Sequence, residues 1–308
     1  MTSRNVINVA LLLVLAGMWA GSFLFIRVTV DAIGPVTLSF LRTSIASLML
    51  LAIVYMRGEK LYLVGNVFQY SILGLLNAAL PFVLIGFAEL KLEAEIAATL
   101  NACTPLFALI LAALYKQEKI TLGKITALFL GAFGVFFATS GGIFGMQSFH
   151  LIEILASLAA TFCYASAAIY AKRSTSNIHP IALACGQQIA ASIILLPFML
   201  LTVHAVTLNS TIVLSVFLLG TLSTGVAYLI YFYLITRIGA TLTSTVTLVI
   251  PVFGMIFGYI WLGEMVTTSK IVGLVLILAS VSYLMYLRSI ESSQSSKTYD
   301  ASELRRSA

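Results

Sequence analysis

Arg42 stands inside the run GPVTLSFLRTSIASLMLLAIV, residues 34–54, as its lone charge. A guanidinium is a permanent cation with a flat fork of N–H donors, a shape that holds a carboxylate or phosphate by paired hydrogen bonds. Burying it among apolar side chains is costly, so something must answer the charge. Two readings stand. Arg42 lies seven residues beyond Pro35, about 10 Å along a helix, so it either bonds to carbonyls or stretches toward an interface. Alternatively it faces a cavity and binds an anionic ligand.

Other reactive residues are sparse. Glu89, Glu93, Glu95 and Glu153 gather near the ends of apolar runs, where one could handle a proton if a cavity dips toward it, and His150, His179 and His204 lie at scattered edges. Cys103, Cys163 and Cys185 fall inside apolar stretches without metal-ligand spacing. Acid–base or nucleophilic chemistry needs a positioned base beside a nucleophile, and no Gly-Lys-Ser/Thr loop is present to cradle a nucleotide phosphate. The expectation is therefore a protein that is not an enzyme and takes no cofactor or metal.

The elements that carry these residues are set by composition. Of 308 residues, 60% are hydrophobic and 9% charged, against about 25% charged in a soluble domain. Stretches free of Asp, Glu, Lys and Arg cover 5–26, 61–88, 96–115, 125–152, 154–171, 174–236, 238–263 and 271–287. The longest divides near His204 to Ser210, and 32–56 supplies one more, giving ten expected transmembrane helices of the length a bilayer requires. The first stretch is read as a retained helix because it has a repeat partner. Residues 289–308 are serine-rich and aperiodic, and are expected to form a disordered cytoplasmic tail.

With the N-terminus inside, the inner segments hold Arg4, Arg57, Lys60, Lys116, Lys119, Lys124, Lys172, Arg173, Arg237, Arg288, Lys297, Arg305 and Arg306. The outer ones hold Arg27, Lys91 and Lys270. That bias predicts both termini on the cytoplasmic side. It also explains the net charge of +6 without a nucleic-acid partner.

The chain repeats itself. At an offset of 145, WAGSFLFIR (19–27) falls on YASAAIYAK (164–172), Pro35 on Pro180 and Arg42 on Gln187. At an offset of 146, Gly74 matches Gly220, Phe82 matches Tyr228, Pro105 matches Pro251 and Glu118 matches Glu264. Two five-helix repeats are expected, 1–145 and 146–288. Because five is odd, the second enters the membrane from the opposite side, as in inverted-repeat transporters.

The segments MWAGSFLFIR, LSFLRTSIA, AELKLEAEIAATLNACTPLFALILAALYKQEKIT and TGVAYLIYFYLITRIGATLTSTVTLVIPVFGMIFGYIWLGEMVTTSKIVGLVLILASV resemble the EamA-type branch of the drug/metabolite transporter superfamily, over about residues 6–287. The resemblance implies an all-α, ten-helix carrier in the cytoplasmic (inner) membrane of a bacterium. It would move amino acids or other small metabolites by alternating access, often outward. A channel, a lipid scramblase, or an exchanger of nucleotide-like or other anionic metabolites are the rival readings. The expected partners are a small-molecule substrate and membrane lipid, with the chain a monomer or weak homodimer.

Polar stripes mark where cargo would sit, against close helix packing as the competing explanation. On the fourth helix Asn101 and Thr104 share a side with Pro105, and on the ninth Thr243 and Thr247 share one with Pro251. Each proline withdraws a donor and crowds the carbonyl four residues earlier, that of Asn101 or Thr247. Pro81 does the same to Asn77. On the eighth helix Thr221, Thr224, Gly225, Tyr228 and Tyr231 are expected on one face, with Trp19 and Tyr164 on the first and sixth. Gln187 and Gln188 complete the candidate set with Arg42. Glu118 and Glu264, each three residues before a threonine, are expected to cap the helix that follows them. Ala127, Gly131, Gly134 and Ala138 form a small-residue seam expected to pack against the tenth helix at Gly273 and Ser280.

Overall fold

The computed structural model describes residues 3–62, 65–115, 120–144, 150–175, 177–202 and 209–306. Lys116, Glu118, Lys119 and His204 lie outside them. The described chain is helical throughout: α1 (Ser3–Ile33), α2 (Pro35–Met56), α3 (Val67–Gly74), α4 (Leu80–Glu89), α5 (Ala94–Asn101), α6 (Thr104–Leu114), α7 (Leu122–Phe144), α8 (Leu151–Ser174), α9 (Pro180–Thr202), α10 (Ser210–Gly220), α11 (Ala227–Ser244), α12 (Val246–Phe257) and α13 (Thr268–Arg306). π-helical turns join α3 to α4 at Leu75–Ala79 and α10 to α11 at Thr221–Val226, and a third, Gly258–Leu262, follows α12.

Nine helices or helix pairs among the described residues are long and apolar enough to cross a membrane, which makes the chain an integral membrane protein. A further helical stretch, Val246–Leu262, is apolar but shorter. The expected ninth span is divided because its first residues continue α11 and the backbone breaks at Thr245. The stripe of Thr243, Thr247 and Pro251 is therefore shared between two helices.

Two further expectations change. Arg27 is not a loop residue: it lies in α1, which runs on to Ile33, and it pairs with Asp31 one turn later at 3.2 Å. The last helix does not end at 288 but continues to Arg306. No glycine or proline follows Gly273, so the chain contains no residue that would force the helix to stop.

The turn between α1 and α2 is the single residue Gly34, at φ 76°. This left-handed backbone disfavours a side chain, and Pro35 then starts α2 where a missing N–H is harmless.

Repeat mates run antiparallel. Ser192 of α9 donates to Thr43 of α2 at 3.0 Å, while Leu50 and Val54 further along α2 pack with Ile181 and Cys185 nearer the start of α9. α7 and α13 behave likewise: a Cβ on Gly131 would lie 3.0 Å from Ser280 Oγ, and one on Gly134 would lie 2.6 Å from Ile277 Cγ1. Exchanging the halves at the offset of 146 turns the first contact into the second. α1 packs on α12, as α8 packs on α5 and α6, and α3 packs on α9 as α10 does on α2. These exchanges are what a two-fold axis across the helices produces.

The small-residue seam forms as expected, and Ser280 Oγ donates to the Ala127 carbonyl across it at 2.6 Å. Without water to drive them together, helices in lipid associate by close packing and such bonds. Gly134→Val should overpack the seam by about 1–3 kcal/mol and lower the thermal midpoint of the detergent-solubilised protein. Phe133→Val, on the 60% exposed neighbour, should leave the midpoint in place; equal shifts for both would show that the seam does not hold the pair.

Candidate functional site

The two π turns occupy equivalent places in the two repeats, since Leu75 and Thr221 are separated by the offset of 146. A π turn inserts an extra residue into a helix and is frequent at functional sites. Here it changes which side chains point inward. The helical period used to assign Thr221, Thr224 and Tyr228 to one face does not hold through Thr221–Val226: Thr224 is fully buried, while Thr221 Oγ1 simply bonds the Phe217 carbonyl at 2.7 Å. In the first repeat the widened turn precedes Pro81, which starts α4, and the Leu80 amide reaches back five residues to the Leu75 carbonyl.

Close backbone approach brings these turns to the opposite half. A Cβ on Gly74 would meet the Gln187 carbonyl at 2.8 Å, and one on its mate Gly220 would meet Ile45 Cβ at 2.6 Å. Only glycine permits that spacing.

Arg42 sits between the halves, 6% exposed. Its Nε donates to Thr224 Oγ1 at 2.9 Å, and Thr224 in turn donates to the Leu219 carbonyl at 2.9 Å, a five-residue reach that the π turn makes possible. The guanidinium carbon lies 3.7 Å from the centroid of the Phe82 ring. Arg42 therefore does not reach for an interface. Its terminal N–H groups have no acceptor among the described residues. The second repeat supplies the matching but neutral arrangement: Asn77 Nδ2 donates to Gln187 Oε1 at 3.0 Å and to Tyr228 Oη at 3.1 Å. Arg42 with Phe82, and Gln187 with Tyr228, are thus two versions of one framework, charged in one half and uncharged in the other.

Of the expected residues, Arg42, Asn77, Gln187, Thr224 and Tyr228 come together, and Tyr164 packs on the cluster that holds Phe82. Trp19 is half-buried, with its ring 5.4 Å from that of Tyr231. Gln188 is fully buried, with neither side-chain polar atom bonded among the described residues. Asn101 and Thr104 stand apart at the break between α5 and α6. There the Thr104 hydroxyl takes the Asn101 carbonyl at 2.8 Å, so the carbonyl released by Pro105 is satisfied locally. Thr247 lies in α12. Phe82 and Glu89 were not among the expected site residues. Phe82 could have been found from its match to Tyr228, whereas the placement of Glu89 depends on packing.

One end of the bundle is closed by charge. Glu264 was expected to cap the helix that follows it, but its carboxylate instead accepts from the Ala94 and Glu95 amides, at 2.7 and 3.1 Å, at the start of α5 in the other repeat. Those amides are the unsatisfied donors of a helix N-terminus, where a carboxylate is favoured. Thr267 keeps the local role, accepting from the Lys270 amide at 3.4 Å. Lys270 pairs with both Glu93 and Glu95. Burial pushes the Glu264 carboxyl above its ordinary range and the nearby Glu93 charge adds to that, against the pull of the two amides and Lys270. At the opposite end a recess of 310 Å³ opens between Glu59, Tyr62, Tyr70, Asn177 and His179.

The fold and the repeat have counterparts in known proteins. The model of the EamA-like transporter family matches residues 7–140 and again 151–286, one copy per half. An uncharacterised transporter of Archaeoglobus fulgidus is 25% identical over 85% of this chain and 93% of its own length. A probable terminal-alkyne amino-acid exporter of Streptantibioticus cattleyicolor is 24% identical over 85% of this chain and 88% of its own. The uncharacterised inner membrane transporter YedA of Escherichia coli is 26% identical over 82% and 81%. Among solved structures, a crystal structure described only as that of a protein shares the fold, with TM-score 0.65 at 17% identity, covering 94% of this chain and 100% of its own. The two family matches fall on the two halves that pack as antiparallel mates, and the chain belongs to the EamA-like transporter family.

Proposed function

We propose that this transporter carries a small carboxylated metabolite, an amino acid or a related compound, outward by alternating access, with the substrate carboxylate held on Arg42. The supporting observation is a buried guanidinium with Nε bonded and its terminal donors free among the described residues. Removing such a cation from water costs several kcal/mol, and one charged hydrogen bond of about 1.5–3 kcal/mol does not offset that alone. A carboxylate on the open side of the fork would supply the missing partner. Phe82, Tyr228, Tyr164 and Trp19 form the aromatic wall beside it, and Asn77 with Gln187 offers neutral hydrogen bonds. Thr247, Asn101, Thr104 and Gln188 are proposed to line the route rather than the carboxylate site itself.

Export is the direction in the name of the amino-acid exporter relative. The inner-membrane location follows YedA, and the cytoplasmic placement of both termini follows the lysine and arginine bias.

Counterflow in proteoliposomes tests the reading. Each amino acid that exchanges should be compared with its carboxamide, and Arg42→Gln, which copies the repeat mate, should weaken the acid about 10- to 100-fold while changing the amide little. Equal losses for both would make Arg42 a packing residue. Thr224 should act through Arg42: Thr224→Val and Arg42→Gln should be non-additive in thermal stability, with a coupling of about 0.5–3 kcal/mol. Additive effects would place the two in separate roles.

A further inference from the structure

Glu89 ends α4 fully buried, and neither of its carboxylate oxygens has a hydrogen-bond partner among the described residues. An ionised carboxylate without donors in a dry site is costly, and ionisable groups held this way within a membrane commonly handle protons. Arg27 does not neutralise it directly. Its Nη1 is spent on the Glu89 backbone carbonyl at 3.0 Å and on Asp31 at 3.2 Å.

The charges whose fields reach Glu89 are Glu264, Arg27 and Arg42. Each helix packed on α4 can be assessed in turn. α1 presents Arg27, and α2 presents Arg42. Glu95 of α5 is taken by Lys270, with Glu93 just before it. On α8, Tyr164 packs on the cluster that holds Phe82, while Glu153 lies 3.8 Å from His150. No ion pair joins Glu89 to Arg42 among the described residues, but Arg42 stacks on Phe82 of α4 and Glu89 lies two turns, about 10 Å, further along the same helix.

We infer that Glu89 is a proton-binding site linked to Arg42, so that each carboxylate bound at Arg42 brings one proton to Glu89. The inference rests on the assignment of the substrate carboxylate to Arg42. Without substrate the buried region holds one anion, Glu89, and one cation, Arg42. A second anion arriving on Arg42 would leave an uncompensated charge in low dielectric. A proton drawn from water onto one Glu89 oxygen restores the balance; one O–H bond forms and no other bond changes. Substrate and proton then favour each other's binding by the same factor, and they cross together. Outward movement is then driven by the substrate's own gradient.

The test uses full-length protein reconstituted in liposomes and the probe N-acetyl-L-leucine, which carries one carboxylate and no ammonium. Calorimetry in buffers of different ionisation enthalpy counts the protons taken up on binding, and roughly one per probe is expected. Glu89→Gln should bind the probe without proton uptake, and Glu264→Gln should retain it. Uptake unchanged in Glu89→Gln, or absent from the wild type while the probe binds, overturns the proposal.

Infrared spectra without ligand, recorded as the pH is lowered, give a second readout. A protonated-carboxyl band that grows in for the wild type and is missing from Glu89→Gln supports the proton site, and identical spectra sink it. Should the probe fail to bind while that band behaves as expected, the assignment of the carboxylate to Arg42 is wrong and the proton site stands alone. Glu89→Asp keeps the carboxyl and should retain the band if Glu89→Gln does not fold.

Discussion

The cost of holding a guanidinium away from water governs the centre of this molecule. Arg42 comes from one repeat and its hydrogen-bond acceptor, Thr224, from the other, so the charge is answered only when the two halves are assembled. Exchange of the halves would place Gln187 where Arg42 stands and Tyr228 where Phe82 stands. The backbone framework is shared, but the charge is confined to one side of the pseudo-symmetry axis. A bundle of two like halves thereby acquires a polar centre with a direction, which is what an asymmetric small molecule requires for orientation.

Backbone irregularity makes that centre possible. In hydrocarbon every carbonyl and amide must find a partner inside the protein, so departures from the α-helix are tolerated where side chains or neighbouring helices complete the bonding. The π turn at Thr221–Val226 offers the Leu219 carbonyl to Thr224, and Thr224 passes an acceptor on to Arg42. Its counterpart at Leu75–Ala79 carries Asn77, the donor to Gln187 and Tyr228. Gly74 and Gly220 complete the arrangement by letting both irregular segments sit directly on a helix of the other half. Proline, glycine and hydroxyl positions thus work together at the same depth.

The end of the bundle near α5 follows a different logic. Glu264 satisfies amides that begin a helix in the other repeat, and Lys270 draws Glu93 and Glu95 together. Three carboxylates around one lysine leave excess negative charge, and burial already disfavours ionisation of Glu264. This contact joins the halves through charges and backbone amides, whereas the α7–α13 seam joins them through small side chains in lipid. The first can be rearranged by charge; the second is held by packing.

Much of the architecture was legible in the residue order, because hydrocarbon imposes a length and a polarity on every helix that crosses it. The runs of apolar residues, the repeat at offsets of 145 and 146 and the seam from Ala127 to Ala138 could all be read along the chain, and the transporter family was legible separately, as a resemblance of particular segments. Tertiary structure decided what depends on contacts between distant segments. The π turns shifted Thr224 inward, the break at Thr245 divided the ninth span, and Glu264 capped a helix some 170 residues away rather than its own. Whether Arg42 snorkels or is buried was open in the sequence because both outcomes suit the same helix position. The acceptor at Thr224 and the ring of Phe82 come from elsewhere in the chain, and only packing brings them within bonding distance.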